Sequence, residues 1–523
     1  MAASLQHSYP SITHSFGISP VDQLNIAMNT QSATAMNTPK RLSLWDQAAL
    51  RGYMSVALCF PTNPTASPPA FYITHHIKQS LKRLALERPE FAGHLTVNNT
   101  NIYLQQAQSD FIPLEVLNTT FEASYDQLAT QGFPAKAFVN PEFTLNLPLE
   151  EGSEPVPVSL LRVLFIKGGF VLFVHLHHSF GDGSNLATFL ELLGTATVAE
   201  TEDLPIASRQ PTNCWLDLPH QKNSGSFSSL LAKCPEYALL DQPTGPTKPI
   251  LTTLSNAPET NDIGKTFIID ITKVTNIFDK SLKISAFFGF SALAWSHIAR
   301  ARLSGTEPVQ REAFRHQLPS FWNPADWSNP FKKLFTEGEY ATKVHFNAIQ
   351  NYYGNSVALP ITRGPVRIND LVAACYWDTN ASARGSLTKI ATAIKTANKS
   401  VNEDFILTRT ARFNCIPDIR KLGMNLDSRG PQHLSVNTWG FLGTNAKFLF
   451  PDLKNTVAGG LRAEAVCRVQ GAWAKAPHCL ILPHRPTIDP KQEWEVVITL
   501  PEKSMKALLA DKTFMTIVKK VVE

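Results

Sequence analysis

The residue types best suited to chemistry in this chain lie in Val171-Leu-Phe-Val-His-Leu-His-His-Ser-Phe-Gly-Asp-Gly183, where His177, His178 and Asp182 make an HHxxxDG pattern. Histidine titrates nearest neutrality, so His178 is the natural general base. Residues 170–176 are almost all apolar, with β-branched and aromatic types, and predict a buried strand. Strand alternation puts Leu172, Val174, Leu176 and His178 on one face, and His177 on the other. His178 then stands where the strand ends. Gly181 and Gly183 predict a tight turn with positive φ. Leu186, Phe189, Leu190 and Leu193 follow at helical spacing, which predicts a helix from about Ser184, itself an N-cap candidate. Asp182 reads as structural support, capping backbone N–H groups or pairing with an arginine. The bland alternative is a pair of ordinary half-buried histidines beside a turn-forming aspartate.

No Gly-x-Ser-x-Gly elbow occurs, and no cysteine sits in a reactive-looking context. The expected chemistry is therefore proton removal by His178 without a covalent intermediate.

The elements around this segment follow from periodicity. A strand is expected around 53–60, and a helix over 73–88 with Ile77, Leu81 and Leu84 on one stripe, ended by Pro89. Residues 157–176 read as two strands joined at Lys167-Gly168-Gly169. The span 201–262 turns rich in Pro, Ser, Thr and Asn, as in Gln242–Pro249, and reads as a crossover linker with one short helix near 228–240. A second pattern then begins with a strand at Thr266–Asp270 and a helix from Ser285, its N-cap candidate, to about Arg302. Residues 310–342 read as loop. Strands are expected near 343–349, 434–440, 464–472, 478–482 and 494–499, with a terminal helix over 502–521. The expected organisation is an irregular lead-in over 1–40, one domain over 41–200, the linker, and a second domain over 263–523.

Composition bounds the class. A length of 523 residues exceeds one ordinary core, and 43% hydrophobic with 17% charged residues suits a globular protein. A formal net charge of +5 with no Lys/Arg-rich run argues against nucleic acid. The seven cysteines are scattered and form no CxxC pair, which favours free thiols in a reducing compartment. No apolar run reaches membrane-spanning length, and no secretory or mitochondrial leader is legible in residues 1–39. A cytoplasmic monomer without metal is expected.

Several motifs then fall in a recognisable order. Leu42-Ser-Leu-Trp-Asp46-Gln47 resembles an opening strand motif. Leu81 through Pro89-Glu-Phe-Ala92-Gly93 resembles a first helix ending in Pro-x-x-Ala-Gly. HHxxxDG follows, then the Ile284–Arg302 helix, the Tyr352-Tyr-Gly354-Asn355 loop, and Trp494–Leu500 with its following helix. Together, over about residues 42–523, they resemble the BAHD-type CoA-dependent acyltransferases, and most of all the fungal branch of trichothecene O-acetyltransferases. Two places depart from that pattern. After Asn437-Thr438-Trp439, the late DFGWG-like loop survives only as the glycines of Leu453–Gly460. Lys343–Asn347 replaces the usual Val-Asp-x-Arg strand.

The resemblance implies an α/β fold of two similar chloramphenicol-acetyltransferase-like domains, each a mixed sheet with flanking helices. An active-site tunnel at their interface would admit a CoA thioester from one side and the acceptor from the other. It implies acyl transfer, acetyl by default, to a hydroxyl of a secondary metabolite such as a terpenoid or polyketide. His178 would be the catalytic base and Asp182 its structural support. Asn437, Thr438 and Trp439 would face the substrate or oxyanion, and Lys283 and Ser285 the cosubstrate. No permanently bound cofactor is implied; acyl-CoA is a cosubstrate and a small molecule the acceptor. Condensation domains of peptide synthetases share HHxxxDG but act on carrier-bound thioesters, and this chain shows no phosphopantetheine attachment site. A non-catalytic small-molecule binder of the same fold is the other alternative, motivated by the altered late loop.

Overall fold

The computed structural model describes residues 38–63, 69–106, 111–202, 231–241, 261–306, 318–328, 353–425, 430–454, 457, 459–473 and 479–523. Two mixed sheets organise them. The first has five strands in the order Ala465–Arg468, Tyr53–Pro61, Gly169–His177, Ser159–Ile166 and Leu114–Val116. Only its last pair runs parallel. The Gly169–His177 strand carries the histidines, and every residue in it is buried, which explains its nearly unbroken apolar run. Lys167 and Gly168 turn the hairpin before it, and the glycine supplies the positive φ of 84°.

The second sheet has seven strands, ordered Ile361–Thr362, Phe321–Trp322, Leu434–Thr438, Cys479–Ile481, Glu493–Pro501, Asp262–Asp270 and Val518–Val522. Leu434–Thr438 runs parallel to both neighbours, and the other pairs are antiparallel.

Helices cover both sheets. Pro69–Glu87 buries Ile73, Ile77, Leu81 and Leu84 in a core shared with Gly183–Glu202 and the first sheet. Ala286–Ser304 begins at Ser285, whose hydroxyl accepts from Phe288 N at 3.4 Å. It packs with Ala381–Lys399 and Glu502–Leu509 on the second sheet. Burial of these stripes supplies the main drive for both layers, at about 25 cal/mol per Å² of apolar surface.

Several expectations need correction. Leu42–Gln47 is not a strand; Leu44–Ala48 is a short helix capped by Ser43, because that hydroxyl accepts from Asp46 N. The terminal segment is two short helices, Glu502–Leu509 and Lys512–Met515, followed by the strand Val518–Val522, whose β-branched residues complete the sheet edge. Within 310–342, Phe321–Trp322 and Ala325–Asp326 are short strands rather than loop. Near 228–240 the described part has helix only at 231–233, and Tyr237–Leu239 is a strand pairing with Leu422–Met424. The expected strand at 343–349 and most of 201–262 lie outside the described residues. The Ala465–Arg468 strand of the first sheet comes from the 263–523 span.

Candidate active site

The motif strand delivers His177 inward and His178 to its exit. His177 is fully buried, and its Nδ1 accepts from Ser179 N at 3.2 Å. Burial pushes its imidazole down to about 3, helped by His178 and Arg51 nearby, so it is neutral. His178 is half-buried, and its backbone N–H donates to Gly52 O at 2.7 Å, which fixes the main chain just past the strand.

The His178 ring is oriented by Asn355. Asn355 Nδ2 donates to Asp46 Oδ1 at 2.8 Å and to the His178 carbonyl at 2.8 Å. Those two acceptors assign the amide, leaving Oδ1 to face His178 Nδ1 at 3.2 Å. An amide oxygen only accepts, so Nδ1 carries the proton and Nε2 keeps its lone pair. Burial draws the His178 pKa below the ordinary imidazole value, opposed by its own backbone hydrogen bond, Asp182 and Asn355.

Asn355 is held in turn. Its backbone N–H donates to Asp46 Oδ1 at 2.7 Å, and Ser43 Oγ donates to Asp46 Oδ2 at 2.6 Å. Burial pushes the Asp46 carboxyl up to about 7, against the downward pull of Ser43 and Asn355.

Asp182 makes no hydrogen bond to the His178 ring in this network. Its Oδ1 accepts from Ser184 N at 2.9 Å and Asn185 N at 3.4 Å, capping the helix. Its Oδ2 accepts from Ser356 N at 2.7 Å and Ser356 Oγ at 3.1 Å. So one carboxylate ties the motif turn to the Asn355 loop. Of the two expected roles, capping is the one present, with Ser356 where an arginine was the alternative. The cap is Asp182 and not Ser184, since the helix starts at Gly183. Gly181 and Gly183 are not at positive φ. Gly181 is required because a Cβ there would meet Asn185 Cβ at 2.6 Å, and Asn185 Oδ1 accepts from Asp182 N at 2.9 Å.

The other expected residues are placed as follows. Asn437 and Thr438 end a strand pairing with Leu480 and Ile481, and Thr438 Oγ1 accepts from Gly440 N at 3.3 Å. Trp439 N donates to Ile481 O, and its ring packs against the first core. The turn after it touches the motif: Phe441 Cζ lies 3.5 Å from where a Gly183 Cβ would stand. Lys283 is exposed at φ 49°, and its carbonyl accepts from Lys395 Nζ at 3.1 Å. Ser285 caps its helix. The described contacts of Lys283 and Ser285 stay within the second half of the chain and do not reach the His178 network.

Sequence reasoning quoted Asp46 and Asn355 inside motifs but gave neither a place in the site. Their contact spans 309 positions, and spacing along a single chain carries no trace of such a pair. The one signal was local: Trp45 directly precedes Asp46, and Tyr352 and Tyr353 stand three and two residues before Asn355.

Residues 53–197, which include HHxxxDG, match the family model of the trichothecene 3-O-acetyltransferase-like N-terminal domain. The acyltransferase easC of Emericella nidulans is 24% identical over 413 residues, covering 72% of this chain and 77% of that protein. Trichothecene 3-O-acetyltransferase TRI101 of Fusarium sporotrichioides is 24% identical over 269 residues, 48% of this chain and 56% of that protein. The crystal structure of F. graminearum TRI101 complexed with coenzyme A and deoxynivalenol superposes with a TM-score of 0.67 at 18% identity, covering 93% of this chain and all of that one. The chain is thus similar to fungal acyltransferases in sequence and to TRI101 in fold. The matched segment holds the motif turn, while Asp46, Asn355 and Ser356, which hold it in place, lie outside it.

Proposed function

We propose that this chain transfers an acyl group, acetyl first, from acyl-CoA to a hydroxyl of a secondary metabolite such as a terpenoid or polyketide, with His178 Nε2 as general base. The observation that carries it is the Asn355 amide, which holds the Nδ1 proton and leaves Nε2 free. The similarity to fungal acyltransferases supports the reaction class.

The acceptor O–H gives its proton to Nε2 as its oxygen attacks the thioester carbonyl carbon, forming a C–O bond and an oxyanion. The oxyanion collapses, the C–S bond breaks, and the imidazolium returns the proton to the leaving thiolate. Thr438 uses a lone pair on Gly440 N–H, so its own O–H remains to donate to the oxyanion, with Asn437 and Trp439 beside it. Lys283, through its exposed ammonium, and Ser285, through its hydroxyl proton, are read as contacts for the donor. Asp182 holds the turn.

The 41–200 and 263–523 spans are read as two domains joined by 201–262, one on each of the two main sheets, with Ala465–Arg468 of the second span forming an edge strand of the first sheet. No described helix is long and apolar enough to cross a membrane, and the described cysteines are free. Both support a cytoplasmic protein, read as a monomer.

The test is incubation with acetyl-CoA and a panel of hydroxylated terpenoids and polyketides, scored by mass for the added acetyl group. Acetyl-CoA without acceptor should leave no stable label on the protein. Stoichiometric labelling lost on mutating one Ser or Cys would refute direct transfer.

A further inference from the structure

The acyl-transfer steps leave one buried acid without a part. Asp46 is 0% exposed, and no cation pairs with it among the described residues. Its short helix, Leu44–Ala48, packs on Glu403–Asn414 and on Ile419–Lys421. The arginines there turn to other partners: Arg409 to Glu236, Arg412 to the Cys234 carbonyl and Arg420 to Asp418. Arg51, just after the helix, donates to Thr100 O at 3.0 Å. The charged group that acts on Asp46 is Asp182, a second acid. Burying a carboxyl without a cation costs stability, so Asp46 stands there for something other than packing.

Its two oxygens have separate tasks. Oδ1 accepts both N–H groups of Asn355, the backbone N at 2.7 Å and Nδ2 at 2.8 Å. Oδ2 faces Ser43 Oγ at 2.6 Å, and that hydroxyl oxygen also accepts from Asp46 N at 3.2 Å. A proton taken up by this carboxyl goes to Oδ2, where Ser43 Oγ can accept it; on Oδ1 it would face two donors. Oδ1 is therefore an acceptor in both charge states. Burial holds the carboxyl at about 7, so both states occur near neutrality with the same grip on Asn355.

That grip bears on His178. One Asn355 Nδ2 proton goes to Asp46 Oδ1 and the other to the His178 carbonyl at 2.8 Å. Turned over, the amide would set its oxygen against both acceptors and its N–H against His178 Nδ1. The imidazole would then carry its proton on Nε2, where the acceptor hydroxyl has to deliver one. Two acceptors oppose that turn. One is main chain; the other is Asp46.

We propose that Asp46 is a positioning residue for the transfer: as a hydrogen-bond acceptor through Oδ1, it locks the Asn355 amide so that His178 keeps its proton on Nδ1 and its lone pair on Nε2. Asp46 touches no reacting atom. The proposal rests on the general-base reading of His178, and its first test is read without any acceptor.

Histidine-selective nitrogen-15 labelling of the full-length chain, with His178 assigned through His178→Gln, reads which imidazole nitrogen carries the proton. In the unmodified chain Nδ1 should carry it at about pH 6.5 and at about pH 8.5, on either side of the Asp46 titration. In Asp46→Ala a population with the proton on Nε2 should appear. Thiol release from acetyl-CoA, with water as acceptor, should fall about 10-fold in that variant, the scale of one lost hydrogen bond, with KM for acetyl-CoA unchanged. Asp46→Asn is neutral but keeps an oxygen for Asn355 and an N–H for Ser43. It should recover the tautomer and most of the rate.

An unchanged tautomer in folded Asp46→Ala overturns the proposal. So does an Asp46→Asn variant as slow as Asp46→Ala, which makes charge the agent. So does a proton that changes nitrogen in the unmodified chain across that pH span, an arm that needs no variant to fold. If the tautomer behaves as expected but no acetyl is transferred, the reaction assignment fails alone. If acetyl is transferred while Asp46→Ala keeps both tautomer and rate, this proposal fails alone.

Discussion

At the scale of single residues, Asn355 does for His178 what no feature of the motif itself does: it chooses the nitrogen that carries the proton. His178→Ala should lower kcat by on the order of 10²-fold or more with the fold intact, checked by steady-state rates beside circular dichroism. Asn355→Ala frees the ring and strips partners from Asp46. Its kcat should fall by about 10²-fold, the scale of a misplaced reacting group, with KM for the donor little changed. The pH profile gives a separate check. Burial holds the His178 pKa below its ordinary value of about 6.5, so the base stays neutral to lower pH. The acid limb of kcat/KM should therefore fall below pH 6.5. A limb at or above that value would mean a different group is titrating.

At the scale of elements, Asp182 joins a helix start to a loop from the other half of the chain. Asp182→Ala removes the cap and leaves the buried Ser356 N–H unpaired, a combined cost of about 2–4 kcal/mol. Asp182→Asn keeps an acceptor for one of the two sides and should cost about half as much. Denaturant midpoints of the two variants decide it; a shifted pH–rate profile at unchanged stability would instead make Asp182 a proton-transfer group.

Elements whose stripe is one-sided or wholly apolar are legible in the sequence, such as Ala286–Ser304 and the Ser159–His177 hairpin. So is the placing of His178 at a strand exit. The turn was misread because glycine signals positive φ more readily than close packing, and Gly181 serves the latter. The last strand, Val518–Val522, is hidden in the sequence because two adjacent lysines break its valines, in a short segment that follows two short helices. The Asp46–Asn355–His178 arrangement was out of reach because it exists only after folding brings three distant segments together.

At the scale of the molecule, buried titratable groups set an acid limit. His175 and His177 are held near 3 by burial, against about 6.5 in the unfolded chain. Between those values the unfolded chain binds protons that the folded one refuses, so stability rises with pH across the window and is complete above it. Asp46 acts in the opposite sense: raised to about 7 from 3.8, its contribution is present below 3.8 and is lost as pH rises through 7. His177→Asn should flatten the acid side of a plot of denaturant midpoint against pH, measured from pH 3.5 to 8. An unchanged slope would show that His177 is not held neutral.

The edge strand Ala465–Arg468 also sets a timetable. Its partner, Tyr53–Pro61, leaves the ribosome about 400 residues earlier. At roughly 5–20 residues per second, that apolar strand waits on the order of 20–80 s with one edge unpaired. An open edge of this kind invites pairing with another nascent chain. The first sheet thus cannot close until nearly the whole polypeptide has been made. A chain stopped near residue 300 should accumulate as aggregate even though it contains the entire HHxxxDG segment. Full-length yield should rise when chaperones that shield exposed strands are co-produced.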